Sequence, residues 1–276
     1  MKVNVPHGIK VGTAFAVVLF AVACLYFYHQ EKSETRVWPA PGINLLRVHT
    51  PNGEVSVTAA ADTIIRVEIT RRANGFDKPD AGEALTRIAV SDSVSADSLF
   101  LQANVPEPNN RSYAADFVIT APALVGLDVS TSNGPLTISG MTAGGKVSAD
   151  NGNITLTNTA GPLDVVAANG KVGANGHRGS VNIHDANGTV DCDVASLSAT
   201  DTVSVNAANG AAFVRLPATA SAHFDVTAQN SSVIVTGFNA ITYVLNEPKH
   251  KVGNIGSGEA TVFIYSGNGQ VRLLAR

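Results

Sequence analysis

An Asn-Gly dipeptide that returns at a fixed interval constrains this chain more than any other feature. It occurs at Asn133, Asn151, Asn169 and Asn187, each 18 residues after the last. The interval then widens to 22 at Asn209 and 21 at Asn230, where Ser231 replaces glycine, and further copies stand at Asn268-Gly269 and Asn52-Gly53. Self-similarity at a period of this size signals a repeat architecture, in which each unit buries its apolar face only by stacking on its neighbours.

With each Asn as origin, the positions six and four before it and three and five after it form four columns that are nearly all apolar. The second column reads Val48, Val129, Val147, Val165, Ile183, Val205, Val226, Ile264, and the third Val55, Leu136, Ile154, Val172, Val190, Ala212, Val233, Val271. Residues two apart share one face of a strand, so each copy is two short inward-facing strands joined at Asn-Gly. Two architectures satisfy this. Asn-Gly between alternating strands is the strongest hairpin signal and would give an antiparallel meander. Constant columns favour instead a β-solenoid of roughly 18–22-residue coils, because every inward side chain then packs on its counterpart. Stacked Asn133, Asn151, Asn169 and Asn187 would form a ladder of amide hydrogen bonds at the turns.

Composition agrees with an all-β fold: 45% of residues are hydrophobic, only 15% are charged, and 25 are glycine. A net charge of −3 gives no basic footprint, so nucleic acid is not an expected partner. Cys24 and Cys192 lie in different surroundings and form no disulfide framework. Cys192 falls in the fourth column among Ile138, Leu156 and Val214, which predicts a buried and inert thiol.

Before the repeats, Lys2 and Lys10 precede an apolar run from Val11 to Tyr28, which reads as an export signal. Eighteen helical residues span about 27 Å, close to a bilayer's hydrocarbon thickness. The leading lysines favour a cytoplasmic N-terminus. An uncleaved anchor competes here with cleavage after Ala21-Val22-Ala23 and with lipidation at Cys24. The expected organisation is a cytoplasmic tail and transmembrane signal anchor over residues 1–30, a linker over 31–41, a β-rich capping region with one short helix over 42–126, and solenoid repeats over 127–276. The helix is placed at Pro79 to Ile88, where Pro and Asp open a run with Ala81, Ala84, Leu85 and Ile88 at helical spacing.

These residues carry a resemblance. The Asn-Gly repeats, Gly42 to Val57, Phe117 to Pro122 leading into Leu127-Asp128-Val129, and Gly256-Ser257-Gly258 before Val262 to Leu273 resemble the bacterial putative-adhesin family of β-strand-repeat proteins, a domain of unknown function. The resemblance spans roughly residues 40 to 276. It implies a β-solenoid on the outer side of a bacterial membrane, and transfers no catalytic residue.

An enzyme acting on polysaccharides from a β-helix would need clustered carboxylates on one outward face. The best polar cluster is Asp191 and Asp193 with His184 and Asp185 about one strand away. The histidines show no metal-ligand spacing, and tandem nonapeptide calcium repeats are absent, so neither metal nor cofactor is expected. Late in the chain, outward positions turn apolar at Phe213, Ile234, Phe263 and Tyr265. This predicts an interaction patch, covered either by residues 238–252 folding back as a lid or by an external partner. The reading is a non-enzymatic, membrane-anchored envelope or surface interaction module. It would be single-pass, with its C-terminal domain periplasmic or extracellular and an envelope protein or glycan as partner. Alternatives are a polysaccharide-acting β-helix enzyme and an envelope-stress sensor component.

Overall fold

A computed structural model describes residues 28–107 and 111–276. In chain order the N-terminal part runs β1 (Tyr28–Pro39), β2 (Leu45–Asn52), β3 (Val55–Ala60), β4 (Ile64–Gly75), α1 (Lys78–Thr86), β5 (Ala89–Ser95), β6 (Ser98–Asn104) and β7 (Tyr113–Pro122). The repeats follow as strand pairs: β8 (Gly126–Asn133) with β9 (Leu136–Ser139), β10 (Gly145–Asn151) with β11 (Ile154–Thr157), β12 (Leu163–Asn169) with β13 (Val172–Arg178), β14 (Val181–Asn187) with β15 (Val190–Ser196), and β16 (Thr202–Ala207) with β17 (Ala212–Leu216). The chain ends with β18 (Ala222–Ala228), β19 (Val233–Thr236), β20 (Ile241–Asn246), β21 (His250–Ile255), β22 (Ala260–Ser266) and β23 (Val271–Ala275).

Each Asn-Gly corner passes the chain from one sheet to another rather than folding a strand back on its neighbour. Strands before the corner build sheet B, of 12 strands, and strands after it build sheet A, of 11. Within both sheets, successive coils pair in parallel at constant register: Val129, Val147, Val165 and Ile183 align, as do Leu136, Ile154, Val172 and Val190. All eight are buried, and burial of such a side chain is worth about 1.5–3 kcal/mol. The corner glycine is a steric requirement of stacking. A Cβ on Gly152 would lie 2.0 Å from the Gly134 carbonyl oxygen, and one on Gly188 would lie 1.6 Å from that of Gly170.

The coils are not stacked in chain order. The β2–β3 coil sits between β6–β7 and β8–β9, and the last coil, β22–β23, sits between β16–β17 and β18–β19. Antiparallel strands finish the stack: β1 and β4 follow β7 in sheet A, β5 follows β6, and the hairpin β20–β21 extends sheet B beyond β18. Helix α1 begins one residue before the expected Pro79 and ends at Thr86, with the Asp77 side chain capping it by accepting from Asp80 N at 2.8 Å. It buries Ala81 and Ala84.

The expected fold class, a β-solenoid of roughly 18–22-residue coils with a β-rich N-terminal capping region and an N-terminal transmembrane helix, is therefore corrected. Among the described residues the fold is an all-β stack of two sheets that do not close on each other, with permuted coil order at both ends and one nine-residue helix. Among the described residues no helix is long and apolar enough to cross a membrane. Residues 1–27, which hold nearly all of the expected anchor and Cys24, lie outside the described residues; Tyr28, assigned to that anchor's end, opens β1. Residues 31–41 are no free linker either. Residues 31–39 belong to β1, which pairs with β4 from Tyr28↔Gly75 to Pro39↔Ile64, and Pro39 is tolerated at the end of an edge strand. The region 42–126 contributes two full coils to the stack itself, besides β4, α1 and β5.

Candidate functional site

The asparagines of the corners form one ladder. Asn133 donates to Asn52, Asn151 to Asn133, Asn169 to Asn151, Asn187 to Asn169, Asn209 to Asn187, Asn268 to Asn209 and Asn230 to Asn268, at 2.6–3.1 Å. The order 209, 268, 230 follows the permuted coils. Just inside each corner, two residues before the Asn, lies a buried column that the four-column reading missed. There Thr50 donates to the Ala115 carbonyl at 3.1 Å, Thr131 to that of Gly53 at 3.2 Å and Ser266 to that of Gly210 at 2.7 Å. Asp185 occupies the same column, fully buried. Its Oδ1 accepts from Asn187 N at 3.1 Å and its Oδ2 has no partner. Burial pushes its pKa up, against smaller opposing effects of the Asn187 N–H and His184.

The outer face of sheet A carries a polar concavity. The residues four after each Asn form a row across the strands that runs Ser56, Thr137, Thr155, Gly173, Asp191, Phe213, Arg272, Ile234 in spatial order. Gly173 leaves this row without a side chain, and a groove of about 390 Å³ opens over it. Thr155 and Thr157 form one wall; Asp191, Asp193 and Arg215 form the other, with Lys171 just before the glycine's own strand and Asn175 two residues after the glycine. Arg215 grips Asp191 through both terminal nitrogens, Nη2 at 3.4 Å from Oδ2, and this pairing raises the arginine's pKa further. Arg276 Nε lies 3.5 Å from Asp193 Oδ1.

The expected interaction patch is not one surface. Phe213 and Ile234 follow their Asn and lie on sheet A, whereas Phe263 and Tyr265 precede theirs and lie on sheet B, facing the opposite way. Coil permutation divides each pair further. Arg272 intervenes between Phe213 and Ile234, its guanidinium 5.5 Å from the Phe213 ring centre. Phe263 is flanked by Ser204 and Asp225, and the Tyr265 hydroxyl donates to Gln229 at 2.8 Å. The stretch 238–252 is no lid over these residues. Its hairpin extends the sheet edge, where Tyr243 meets the buried Phe224 edge-on at 5.9 Å.

The expected polar cluster also separates: Asp191 and Asp193 face outward on sheet A, His184 is on sheet B, and Asp185 is inside. Cys192 is fully buried between those two aspartates, and burial pushes its thiol up to about 12. Among the described residues no group of three His, Cys, Asp or Glu side chains could hold a metal ion.

Fold and surface together define a protein of stacked parallel coils with polar outward rows and a buried thiol. The family model described as Toastrack DUF4097 matches residues 13–274, and this chain belongs to that family. It is similar to a solved structure called a putative cell adhesion protein, from Clostridium sporogenes ATCC 15579, at 16% identity and TM-score 0.37, covering 90% of this chain and 100% of that one. A putative adhesin from Bacteroides fragilis NCTC 9343 is similar at 14% identity and TM-score 0.41, covering 88% and 97%. A third, from Parabacteroides distasonis ATCC 8503, stands at 8% and 0.31, covering 87% and 97%. No curated protein matches the chain.

Proposed function

We propose that this chain is a non-enzymatic interaction module of a bacterial cell envelope or surface, adhesin-like in holding a partner rather than transforming one. The observation that carries this reading is the polar groove on the outer face of sheet A, set on stacked parallel strands and carrying the Asp191–Arg215 ion pair in one wall. Asp191 is tied to Arg215 and so is not free to act on a leaving group, while Asp193 Oδ1 has Arg276 Nε at 3.5 Å and no hydrogen bond. The most nucleophilic side chain nearby, Cys192, is sealed beneath the sheet. Membership of the Toastrack family is consistent with this role.

We place the module on the periplasmic or extracellular side, supported by the lysine-flanked apolar run read as an export signal. The test is protease treatment of intact cells and spheroplasts, together with adherence of cells that produce the chain to surfaces coated with envelope proteins or glycans. Cleavage without lysis and adherence above that of cells lacking the chain are expected. Full protection until lysis would remove the location, and hydrolysis of the presented glycan would remove the non-enzymatic reading.

A further inference from the structure

We propose that the groove over Gly173 binds a neutral saccharide chain. This rests on the interaction-module reading above and names the ligand class of its site. The argument begins with the glycine. A glycine inside a strand weakens it, and one that the fold does not require often marks a place where a ligand approaches closely. The described strands also contain Gly75, Gly126, Gly145, Gly176 and Gly253. Each of these either has a positive φ or would bring a Cβ within 3.4 Å of a backbone atom. A Cβ would lie 2.3 Å from Ala81 N at Gly75, 3.3 Å from Asn44 O at Gly126 and 2.3 Å from Thr242 O at Gly253. Gly145 and Gly176 have φ of +132° and +74°.

Gly173 alone among them has neither reason. Its φ is not positive, and a Cβ would meet nothing nearer than Ile154 O at 4.0 Å. Its neighbours in the row, Thr155 and Asp191, carry side chains without difficulty. What the missing side chain does is open the floor of the groove. The concavity of about 420 Å³ on sheet B, lined by Leu163, Asp164 and Asn182, gives no such signal, because its glycine, Gly145, is fixed by backbone geometry and by Leu127 O at 2.1 Å.

The lining selects the ligand. Lys171 and Arg215 donate only, Asp191 and Asp193 accept only, and the Thr155 and Thr157 hydroxyls and the Asn175 amide do both. An anion would meet two carboxylates and a cation would meet two fixed positive charges, so a net charge of either sign is disfavoured. A ligand with many neutral hydroxyls, each donating and accepting, satisfies the walls without disturbing the Asp191–Arg215 pair. The row continues on one side through Thr137 and Ser56, so the hydroxyl-bearing face extends beyond the groove for a chain of several sugar units to follow.

The experiment presents the full-length chain to an array carrying neutral and acidic oligosaccharides, followed by titration calorimetry with the best neutral ligand. Gly173→Val fills the floor with no backbone strain, and Asn175→Ala removes one exposed amide. Wild-type binding to neutral oligosaccharides is expected, at least about tenfold weaker in both variants, with Gly173→Val melting at or above the wild-type temperature. Absence of neutral binding, preference for acidic glycans, or equal affinity in Gly173→Val would overturn the proposal. Adherence of cells displaying each variant separates the two readings. Adherence undiminished by Gly173→Val removes the saccharide site and leaves the interaction module standing, whereas wild-type cells that fail to adhere remove both.

Discussion

Asp185 shares a buried column with Thr50, Thr131 and Ser266, and as a carboxylate it is the one of these that cannot donate to a carbonyl of the neighbouring coil. The register that pairs Asn187 with Asn169 makes Gly170 O the equivalent acceptor. Protonation supplies the missing donor, which agrees with the upward pKa displacement caused by burial. The folded chain therefore holds this proton to a higher pH than the unfolded chain, whose pKa is about 3.9. Stability falls as pH rises from about 4 toward the folded-state pKa and stays lowered above it. Asp185→Asn, which carries its own donor, is expected to raise stability at pH 7 by about 1–3 kcal/mol, with no gain near pH 3. Chemical denaturation at the two pH values checks this, and equal differences at both would contradict it. Cys192 yields a second expectation at this scale. With its thiol pushed up to about 12 and no exposed atom, native protein should resist a maleimide at pH 7 and react only after denaturation.

The corner ladder and the strand columns behave as elements rather than as sums of residues. Asn151 both donates to Asn133 and accepts from Asn169, while Asn230, at the ladder's end, donates to Asn268 alone. Asn151→Ala should therefore cost about 1–2 kcal/mol, and roughly twice as much as Asn230→Ala; equal melting temperatures for the two variants would argue against a cooperative ladder. Much at this scale was legible because stacking leaves the same requirement in every copy, so Val129, Val147, Val165 and Ile183 read as one column from spacing alone. The patch was misread although a signal existed. Alternation tells inward from outward but not which sheet. Position relative to the Asn does: Phe213 and Ile234 come after it, Phe263 and Tyr265 before it. The groove went unnoticed for a different reason. Gly173 looks like any other glycine until the space above it and the ordinary backbone beneath it are known.

At the scale of the whole molecule, the order of coils could not be deduced, because chemically matched columns let any coil stack on any other. The hairpin β20–β21 is what delays the last coil, so that β22 enters between β16 and β18 and β23 between β17 and β19. Removal of residues 260–276 should leave β18 and β19 without their parallel partners, and the antiparallel hairpin β20–β21 attached to β18 alone. A large fall in the denaturation midpoint and rapid proteolysis within 218–259 are expected, and an unchanged midpoint would show that the inserted coil is dispensable. The same insertion governs how the protein responds to being pulled. Tension reaching the stack from its C-terminal side is borne first by β23, held along both edges, so its hydrogen bonds are loaded together in shear instead of opening one by one as at a free margin. From the N-terminal side it meets β1, zipped to β4 over twelve residue pairs. The coil that would otherwise peel away first is locked within the stack.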